Sequence, residues 1–403
     1  MTTFSEFGLP EKLLQSLKRM NFDTATPIQE QAIPVALQGT NILGSAQTGT
    51  GKTGAFSIPM IARLMESETT TALVLTPTRE LAAQVMAAIQ QMVPVANMKT
   101  ALLIGGEPMP RQFRQLQANP RIIVGTPGRV NDHLARRTLT LAKCAFLVLD
   151  ETDRMLDMGF GVQLDKIMET MPRQRQTMMF SATMPSDIVR LSSKYMNKPV
   201  RITVGSTVAP AAKIRQEVIH TSEGEKHGKL LEQLASRSGS VIVFVKTKYG
   251  TEKLADKLCK AEYSADAIHG DLQQRKRDRV IQNFRDQKFR ILVATDVAAR
   301  GLDIPHIEHV INYDLPQCPE DYIHRVGRTA RAESTGTAIT FINEKDQKKF
   351  FDIESLIGNE IPKLTLPEAL GTSPAYEPER KRNTFDKPKG KKPFHKAKRP
   401  NNA

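Results

Sequence analysis

The stretch NILGSAQTGTGKTGA, residues 41–55, decides how the rest of this sequence is interpreted. It begins as an apolar strand and ends as a helix, and the glycine-rich loop between them can turn backbone N–H groups toward a phosphate chain. The helix N-terminus adds partial positive charge there. This order predicts a phosphate-binding loop in which Lys52 reaches the β- and γ-phosphates and the Thr53 hydroxyl contacts Mg²⁺. The loop residues expected to contact the nucleotide are Ala46, Gln47, Thr48, Gly49, Thr50 and Gly51.

A second stretch supplies the acids that such a site needs. FLVLDETD, residues 146–153, is an apolar strand that ends in adjacent carboxylates. Because side chains alternate along a strand, Asp150 and Glu151 point in different directions. One can hold Mg²⁺ while the other orients the attacking water. Taken alone, such a pair is more often solvated in a loop, but the phosphate-binding loop upstream favours the catalytic interpretation.

Short β-rich apolar runs alternate with helical patterns along the chain. TALVLT (71–76) is typical of a buried strand, and RELAAQVMAAIQQM (79–92) has the apolar spacing of a helix. Such alternation favours doubly wound, mostly parallel sheets whose two faces are both covered. The pattern stops at the segment GSTVAPAAK and restarts after it. We therefore predict an α/β protein with two domains, residues 1–204 and 214–365, joined by a linker at 205–213.

The composition argues against several classes of protein. No run approaches the ~18 apolar residues of a membrane span, and the start, MTTFSEFGLP, lacks the basic and apolar blocks of a secretion signal. Cys144, Cys259 and Cys318 lie far apart, which argues against a disulfide framework or a structural zinc site. These features predict a cytoplasmic protein that does not bind membranes.

The formal charge of +14 is concentrated at the C-terminus. From residue 380 onward, ten Lys or Arg side chains accompany a single acid, so this segment carries +9. It is either a solvated, disordered tail or an arm that contacts nucleic-acid phosphates. The uneven charge and the interleaved Phe385 and Phe394 favour the arm. In both cases we predict a disordered, basic tail over residues 366–403.

A series of short motifs follows a fixed order along the chain. In the first half these are NFDTATPIQ (21–29) with the upstream Phe4, AQTGTGKT (46–53), PTRELAAQ (77–84), Gly105-Gly106, TPGR (126–129), DETD (150–153) and SAT (181–183). In the second half they are VFVKT (243–247), Gln274 to Arg277, ATDVAARGLD (294–303) and HRVGRTAR (324–331). In these motifs and their order, the sequence resembles the DEAD-box ATP-dependent RNA helicases up to about residue 365. The resemblance implies two tandem RecA-like domains.

The resemblance also implies how the nucleotide is held. Gln29 would bind the adenine edge, and Phe22 would help to pack the base. Asp150 would bind Mg²⁺, and Glu151 would be the general base for the attacking water. Asp303, from the second domain, would hold the ribose of ATP.

The implied arginine fingers lie in the second domain. Arg328 and Arg331 would contact the γ-phosphate, while His324 and Arg325 would link the nucleotide site to DETD and SAT. The complete site would then form only when the cleft between the domains closes. RNA bridging both domains would favour closure, and closure would favour ATP binding.

The RNA sugar-phosphate track is implied by position as well. Its candidates are Thr78, Arg79, Gly106, Thr126, Arg129, Arg277, Thr295 and Arg300. The implied function is an RNA-dependent ATPase that locally unwinds short RNA duplexes or remodels RNA–protein complexes, with little sequence preference. We expect a monomer whose partners are RNA and, among cellular assemblies, ribosomal precursors or RNA-decay proteins.

The sequence departs from the family pattern at a few positions. Thr152 replaces the Ala of the family's motif, and its methyl and hydroxyl are expected beside SAT or the HRVGRTAR motif. Asn21 and Ala330 stand where Gly is usual, and Ala25 where Pro is usual. Ala330 should matter only if its backbone needs a positive φ. Both acids of DETD remain, so hydrolysis is expected.

Other functions remain open at this point. A DNA-directed translocase could use the same paired domains, and ATPase stimulation by RNA against DNA separates it. An ATP-gated RNA clamp or annealing protein would not separate short duplexes with ATP. A small-molecule kinase fits less well, because nothing resembles a second substrate pocket and the second domain would have no role.

Overall fold

The computed structural model describes two sheets of seven strands each. The described residues are 2–46, 49–93, 98–204, 214–299, 304, 306–330 and 335–364. We call the described part up to residue 204 the N-lobe and the described part from residue 214 to residue 364 the C-lobe.

The N-lobe sheet is parallel throughout. Its strands are β1 (Ile42–Ser45), β2 (Thr71–Leu75), β3 (Thr100–Leu103), β4 (Ile122–Gly125), β5 (Cys144–Leu149), β6 (Gln176–Ser181) and β7 (Val200–Thr203). They lie in the order β3-β4-β2-β5-β6-β1-β7. The strands that precede the phosphate-binding loop, DETD and SAT are thus the neighbours β1, β5 and β6. The strands that precede the predicted RNA residues of this lobe are the neighbours β3, β4 and β2.

Helices cover the N-lobe sheet. A short 3₁₀ helix (Phe4–Phe7) comes first. It is followed by α1 (Glu11–Arg19), α2 (Pro27–Leu37), α3 (Lys52–Met65), α4 (Arg79–Met92), α5 (Met109–Gln117), α6 (Pro127–Ala135), α7 (Thr152–Asp157), α8 (Gly161–Glu169) and α9 (Ser186–Tyr195).

The C-lobe repeats this architecture. Its strands are β8 (Ile214–His220), β9 (Ser240–Phe244), β10 (Ala265–Ile268), β11 (Ile291–Ala294), β12 (Ile307–Asn312), β13 (Gly336–Ile342) and β14 (Lys363–Leu364). They form a parallel sheet in the order β10-β11-β9-β12-β13-β8-β14. Its helices are α10 (Lys226–Ala235), α11 (Lys248–Lys260), α12 (Gln274–Arg285), α13 (Asp296–Ala299), α14 (Pro319–Val326) and α15 (Gln347–Ile357).

Each sheet is buried on both faces because its strands are apolar at consecutive positions. In β5, Phe146 and Val148 enter one hydrophobic cluster, and Leu147 and Leu149 enter the cluster on the opposite face. All four are at most 4% exposed. With both faces buried, the loops at the strand ends are where ligands bind in open parallel sheets of this kind.

The predicted class of fold, two tandem doubly wound parallel sheets, is confirmed. The sequence did not predict β14, because a strand of two residues leaves no apolar period to detect. The predicted linker at 205–213 and the predicted tail at 366–403 lie outside the described residues. The domain boundaries therefore stay predictions.

Two positions where the family usually has Gly adopt left-handed backbone. Asn21 has φ 57° and Ala330 has φ 56°. Asn tolerates this region, whereas the Cβ of Ala makes it unfavourable by roughly 1–2 kcal/mol. Ala330 thus occupies a position that glycine would adopt without strain.

In the described parts of both lobes, no helix is long and apolar enough to cross a membrane.

Candidate active site between the two lobes

Lys52 is the first residue of α3, and its side chain reaches back across the loop that follows β1. Its Nζ donates a hydrogen bond to the carbonyl oxygen of Ala46 at 2.9 Å, and the residue is only 6% exposed. Helix α3 begins at Lys52, with Thr53 next, so the free N–H groups of the first turn lie at the loop. Of the other predicted loop residues, Gly49, Thr50 and Gly51 form the bend before α3, and Gln47 and Thr48 lie outside the described residues. The loop thus places an ammonium and a helix N-terminus together, which suits a phosphate chain.

Gln29 connects the start of α2 to the same loop. Its Nε2 donates to the carbonyl oxygen of Gly51 at 3.0 Å, and its Oε1 accepts from the backbone N–H of Thr26 at 3.0 Å. Gly51 has φ 94°, and a Cβ there would lie 2.7 Å from both side chains, so only glycine fits. Phe22 stacks on Phe4 with ring centroids 6.1 Å apart. The amide of Gln29 is therefore engaged by the protein, and its adenine contact stays a prediction.

The two acids of DETD lie at the end of β5. Asp150 is 3% exposed, and burial raises the pKa of its carboxyl to about 6, while the charge of Lys52 opposes that rise. Glu151 has φ 51°, and its backbone N–H donates to Asp150 Oδ1 at 3.0 Å. The left-handed backbone at Glu151 turns the chain sharply into α7, which places the two carboxylates at different positions around one site.

The last acid of DETD holds the SAT loop. Asp153 Oδ2 accepts hydrogen bonds from the backbone N–H groups of Ala182 and Thr183, at 3.1 and 3.0 Å, and from the Thr183 hydroxyl at 3.0 Å. Thr152 is fully buried, and its hydroxyl donates to the carbonyl oxygen of Phe180 at 3.2 Å. The threonine that replaces the family's Ala therefore lies beside the strand leading into SAT, with its hydroxyl satisfied.

Arg325 organises the facing surface of the C-lobe. Its Nη2 donates to Asp296 Oδ2 at 2.7 Å and its Nη1 to Asn312 Oδ1 at 3.2 Å, and its guanidinium lies 4.9 Å from the ring centroid of Phe244. These contacts join α14 to α13, β12 and β9. They therefore fix the orientation of α14, which carries His324.

Arg328 lies two residues after the end of α14. It is 3% exposed, and its Nε donates to the carbonyl oxygen of His324 at 3.2 Å. Both residues line a cavity that faces the N-lobe. Arg331 and Asp303 lie outside the described residues, so their predicted roles rest on the sequence alone.

Hydrogen bonds from two arginines join the lobes beside this site. Arg277 donates to Glu80 Oε1 from Nη2 at 2.6 Å and from Nε at 2.9 Å, and both side chains are 7% exposed. Arg79 Nη1 donates to Gln274 Oε1 at 2.9 Å. The guanidinium of Arg277, predicted to contact RNA, is thus largely engaged in an ion pair between the lobes.

The other predicted RNA residues lie in loops after neighbouring strands. Thr78 accepts the N–H of Leu81 and caps α4, and Thr126 precedes α6. Gly106 has φ 82°, and a Cβ there would overlap the guanidinium of Arg79. Arg129 lies in the first turn of α6, and Thr295 follows β11. Arg300 lies outside the described residues. The described candidates therefore occur at the same strand-end edges as the nucleotide residues.

Three acids of this region were not among the predicted site residues. They are Glu80, Asp153 and Asp296, which hold Arg277, the SAT loop and Arg325 respectively. Each lies within a quoted motif, next to a residue that was named. Their position inside a motif is the signal that the sequence offers, whereas the partner of each acid is known only from the fold.

A phosphate-binding loop and its acids on one lobe, facing arginines on the other, define a nucleotide hydrolase whose site is assembled from two lobes. Residues 26–191 match the family model described as DEAD/DEAH box helicase, and residues 225–333 match the one described as Helicase conserved C-terminal domain. The chain is 44% identical over 369 residues to the ATP-dependent RNA helicase CshA of Listeria monocytogenes, covering 91% of this chain and 71% of that one. The chain belongs to the DEAD-box family of ATP-dependent RNA helicases, which bind ATP.

Solved structures of one relative match this chain to different degrees. A variant of Saccharomyces cerevisiae Dbp5 bound to RNA and ADP BeF3 matches with a TM-score of 0.83 at 33% identity, over 90% of this chain and 96% of that one. The same variant bound to Nup159, Gle1, IP6 and ADP matches with a TM-score of 0.61 at 33% identity, over 89% and 95%. At nearly equal coverage, the structure of this chain is therefore more similar overall to the RNA-bound form.

Reversing one charge of the Glu80–Arg277 pair should separate the lobes. Glu80→Arg or Arg277→Glu leaves two like charges buried at 7% exposure, and an unpaired buried charge costs about 3–5 kcal/mol. We expect each variant to lose at least tenfold in RNA-stimulated ATP turnover, measured by phosphate release. The double reversal is the matched control and should recover much of the loss. Equal losses in all three variants would contradict a role for this pair in joining the lobes.

Proposed function

We propose that this chain hydrolyses ATP when RNA draws the two lobes together, and that it thereby separates short RNA duplexes or remodels RNA–protein complexes. The observation that carries the proposal is the set of contacts between the lobes. The pair of Glu80 and Arg277 and the bond from Arg79 to Gln274 join the lobes, and Arg325 and Arg328 share a cavity with Arg154, the residue that follows DETD. An arginine supplied in this way is worth about 10³–10⁵ in rate, so hydrolysis depends on closure.

The residues present fit Mg²⁺. A carboxylate from Asp150 and a hydroxyl from Thr53 are hard oxygen ligands, and Asp150 is buried beside Lys52. Among the described residues no group of three His, Cys, Asp or Glu side chains could hold a metal ion by itself. The ion would therefore take the rest of its ligands from phosphate and water, as Mg²⁺ commonly does. When bound, it neutralises charge on the phosphate oxygens.

The roles of the chain's own residues follow from this arrangement. Lys52 and the first turn of α3 seat the β- and γ-phosphates. Glu151 accepts the proton of the attacking water. Its Oε2 is buried and has no hydrogen-bond partner among the residues described, so this oxygen is available to accept a hydrogen bond from that water. Arg328, with Arg331, donates to the γ-phosphate as charge develops. Asp303 holds the ribose.

RNA binds across the strand-end edges of both lobes. In the N-lobe, the loops after β2, β3 and β4 offer backbone groups and the cations Arg79 and Arg129 to a sugar-phosphate chain. In the C-lobe, Thr295 continues the track, while Arg277 acts mainly by joining the lobes. Contacts to phosphates and 2′-hydroxyls select RNA without reading its sequence. Relatives bound to RNA and the basic composition support this proposal.

The cellular setting is proposed on the same basis. The chain acts in the cytoplasm of a bacterium as a monomer, on RNA in ribosomal precursors or in RNA-decay assemblies. The chain consists of two domains, 1–204 and 214–365, which are joined by a linker at 205–213 and followed by a basic tail at 366–403. The similarity to bacterial relatives along 91% of the chain supports this setting.

The proposed function is tested by Glu151→Gln. The amide is nearly isosteric but cannot accept the proton, so turnover should fall by about 10²–10⁴-fold while ATP and RNA still bind. The variant should accumulate as a long-lived complex with ATP and RNA, measured by RNA dissociation after dilution. Glu169→Gln, an exposed site on α8, is the control. Turnover equal to the parent, or no stimulation of the parent by RNA, would refute the proposal.

Deleting residues 371–403 tests the basic tail. We expect lower RNA affinity and a flatter dependence of log K on log salt, by about 0.7 for each single-strand phosphate that the tail no longer neutralises. The control is a tail of equal length in which each Lys and Arg is replaced by Gln, which separates charge from length. An unchanged salt slope would show that the tail is only a solvated extension.

A further inference from the structure

Arg154 is a buried cation that no motif role explains. It lies in α7, three residues after Glu151, and is 1% exposed. Its guanidinium enters a cavity between the lobes, and every other lining residue belongs to the C-lobe. Those residues include Phe244, Asp296, Asp321, His324, Arg325 and Arg328. A side chain of the N-lobe is thus inserted into the surface that carries the arginine finger.

Two carboxylates from different lobes face this guanidinium. Arg154 Nε lies 3.4 Å from Glu151 Oε2, and Arg154 Nη1 lies 4.0 Å from Asp321 Oδ1. Within the described parts of the chain, none of the three guanidinium nitrogens has a hydrogen-bond partner, and neither has Glu151 Oε2. The contacts are ion pairs that are close but incompletely formed, which is unusual for groups so deeply buried. Such a cluster changes readily with a small movement of either lobe.

The surrounding charges show why closure matters to Arg154. Asp296 lines the same cavity but pairs with Arg325. Asp321 is the C-lobe acid that lies within ion-pair distance of Arg154. If the lobes separate, Asp321 leaves, and Arg154 regains water. If Arg154 were absent, the buried carboxylates of Glu151 and Asp321 would lose the cation that lies between them, which would oppose closure.

We propose that Arg154 is a positioning residue that couples the orientation of Glu151 to closure of the lobes. Asp321 draws the guanidinium into the cavity, and the guanidinium holds the Glu151 carboxylate where it meets the attacking water. Arg154 does not touch the reacting atoms and acts through Glu151. The inference rests on the proposed function, in which Glu151 is the general base.

The test compares Arg154→Gln, Arg154→Lys, Asp321→Asn and the double variant Arg154→Gln/Asp321→Asn. Misplacing a catalytic group by about 1 Å can lower the rate about 10²-fold, and this is the loss of RNA-stimulated kcat expected for Arg154→Gln. KM for ATP should change less than threefold, and Arg154→Lys should recover part of kcat. The double variant should be no worse than the more impaired single variant, because the two residues act as a unit.

A second readout does not depend on turnover. With ADP BeF3 present, RNA affinity reports closure, and we expect Arg154→Gln and Asp321→Asn each to lower it about tenfold. Thermal melting shows whether the variants fold. The matched control is Arg190→Gln, which removes an exposed ion pair to Asp187 of the same spacing and should change neither readout. Arg190 is 82% exposed at its side chain.

The outcomes separate this inference from the function on which it rests. If Arg154→Gln keeps kcat within threefold of a parent that RNA stimulates, the inference is wrong and the proposed function stands. Independent, multiplicative losses in the double variant would also overturn it. If the parent shows no stimulation by RNA, the proposed function itself fails.

Discussion

Arg328→Ala is expected to lower RNA-stimulated ATP turnover by about 10³–10⁵-fold. In phosphoryl transfer the chemistry consists mainly of positioning and of stabilising charge on the γ-phosphate oxygens. The N-lobe contributes Lys52, and the cation expected at the γ-phosphate comes from the C-lobe. Arg328 is 3% exposed at the end of α14, held by the carbonyl oxygen of His324. Its removal should therefore reduce kcat far more than ATP affinity.

Steady-state phosphate release and binding of a fluorescent ATP analogue measure the two effects separately. Arg328→Lys keeps the charge but not the planar fork, and should recover only part of the loss. Arg279→Ala, an exposed arginine on α12 of the same lobe, is the control and should behave like the parent. A kcat within tenfold of the parent for Arg328→Ala would exclude the proposed arginine finger.

Lys52→Ala should abolish ATP turnover, with residual activity at least 10²–10³-fold below the parent. The ammonium lies 2.9 Å from the Ala46 carbonyl inside the loop and the residue is 6% exposed, so alanine removes a buried positive charge from the proposed phosphate site. Its loss also removes the charge that opposes the raised pKa of Asp150. ATP binding and hydrolysis should fall together, whereas Glu151→Gln should lower hydrolysis while ATP still binds.

RNA binding provides the internal control for Lys52→Ala. The basic tail and the track beyond the nucleotide site do not involve this lysine, so RNA affinity without nucleotide should stay within about threefold of the parent. The added effect of ADP BeF3 on RNA affinity should disappear, because the two sites are coupled. Turnover within tenfold of the parent would contradict the phosphate-binding role.

Much of the site follows from local sequence because each motif lies at a strand end. The strand before Lys52 and the strand before Asp150 are continuous apolar runs, and their burial on two faces fixes where the next residues emerge. The order of the motifs then indicated the family. What local pattern cannot give is the order of strands, which places the phosphate-binding loop, DETD and SAT on three neighbours.

Contacts between the lobes could not be predicted from the chain. Glu80 and Arg277 are almost 200 residues apart, and nothing near Glu80 distinguishes it from a solvated acid on a helix. Arg154 likewise resembles an ordinary helical arginine until the C-lobe covers it. The Gln29 amide is a different case: its bond to Gly51 depends on the exact turn of the loop. The pairs between the lobes, unlike this bond, belong to the closed arrangement.

The distance between the lobes tests the central claim most directly. Cys259 is exposed on the C-lobe and can carry one fluorophore, with Glu68→Cys carrying the other on the N-lobe. Burial raises the pKa of Cys144 and of Cys318 to about 12, so these thiols react slowly. Energy transfer should rise to its highest value only when single-stranded RNA and ADP BeF3 are both present, and RNA or nucleotide alone should give a lower value. Transfer that stays unchanged with both ligands bound would contradict closure as the step that assembles the site.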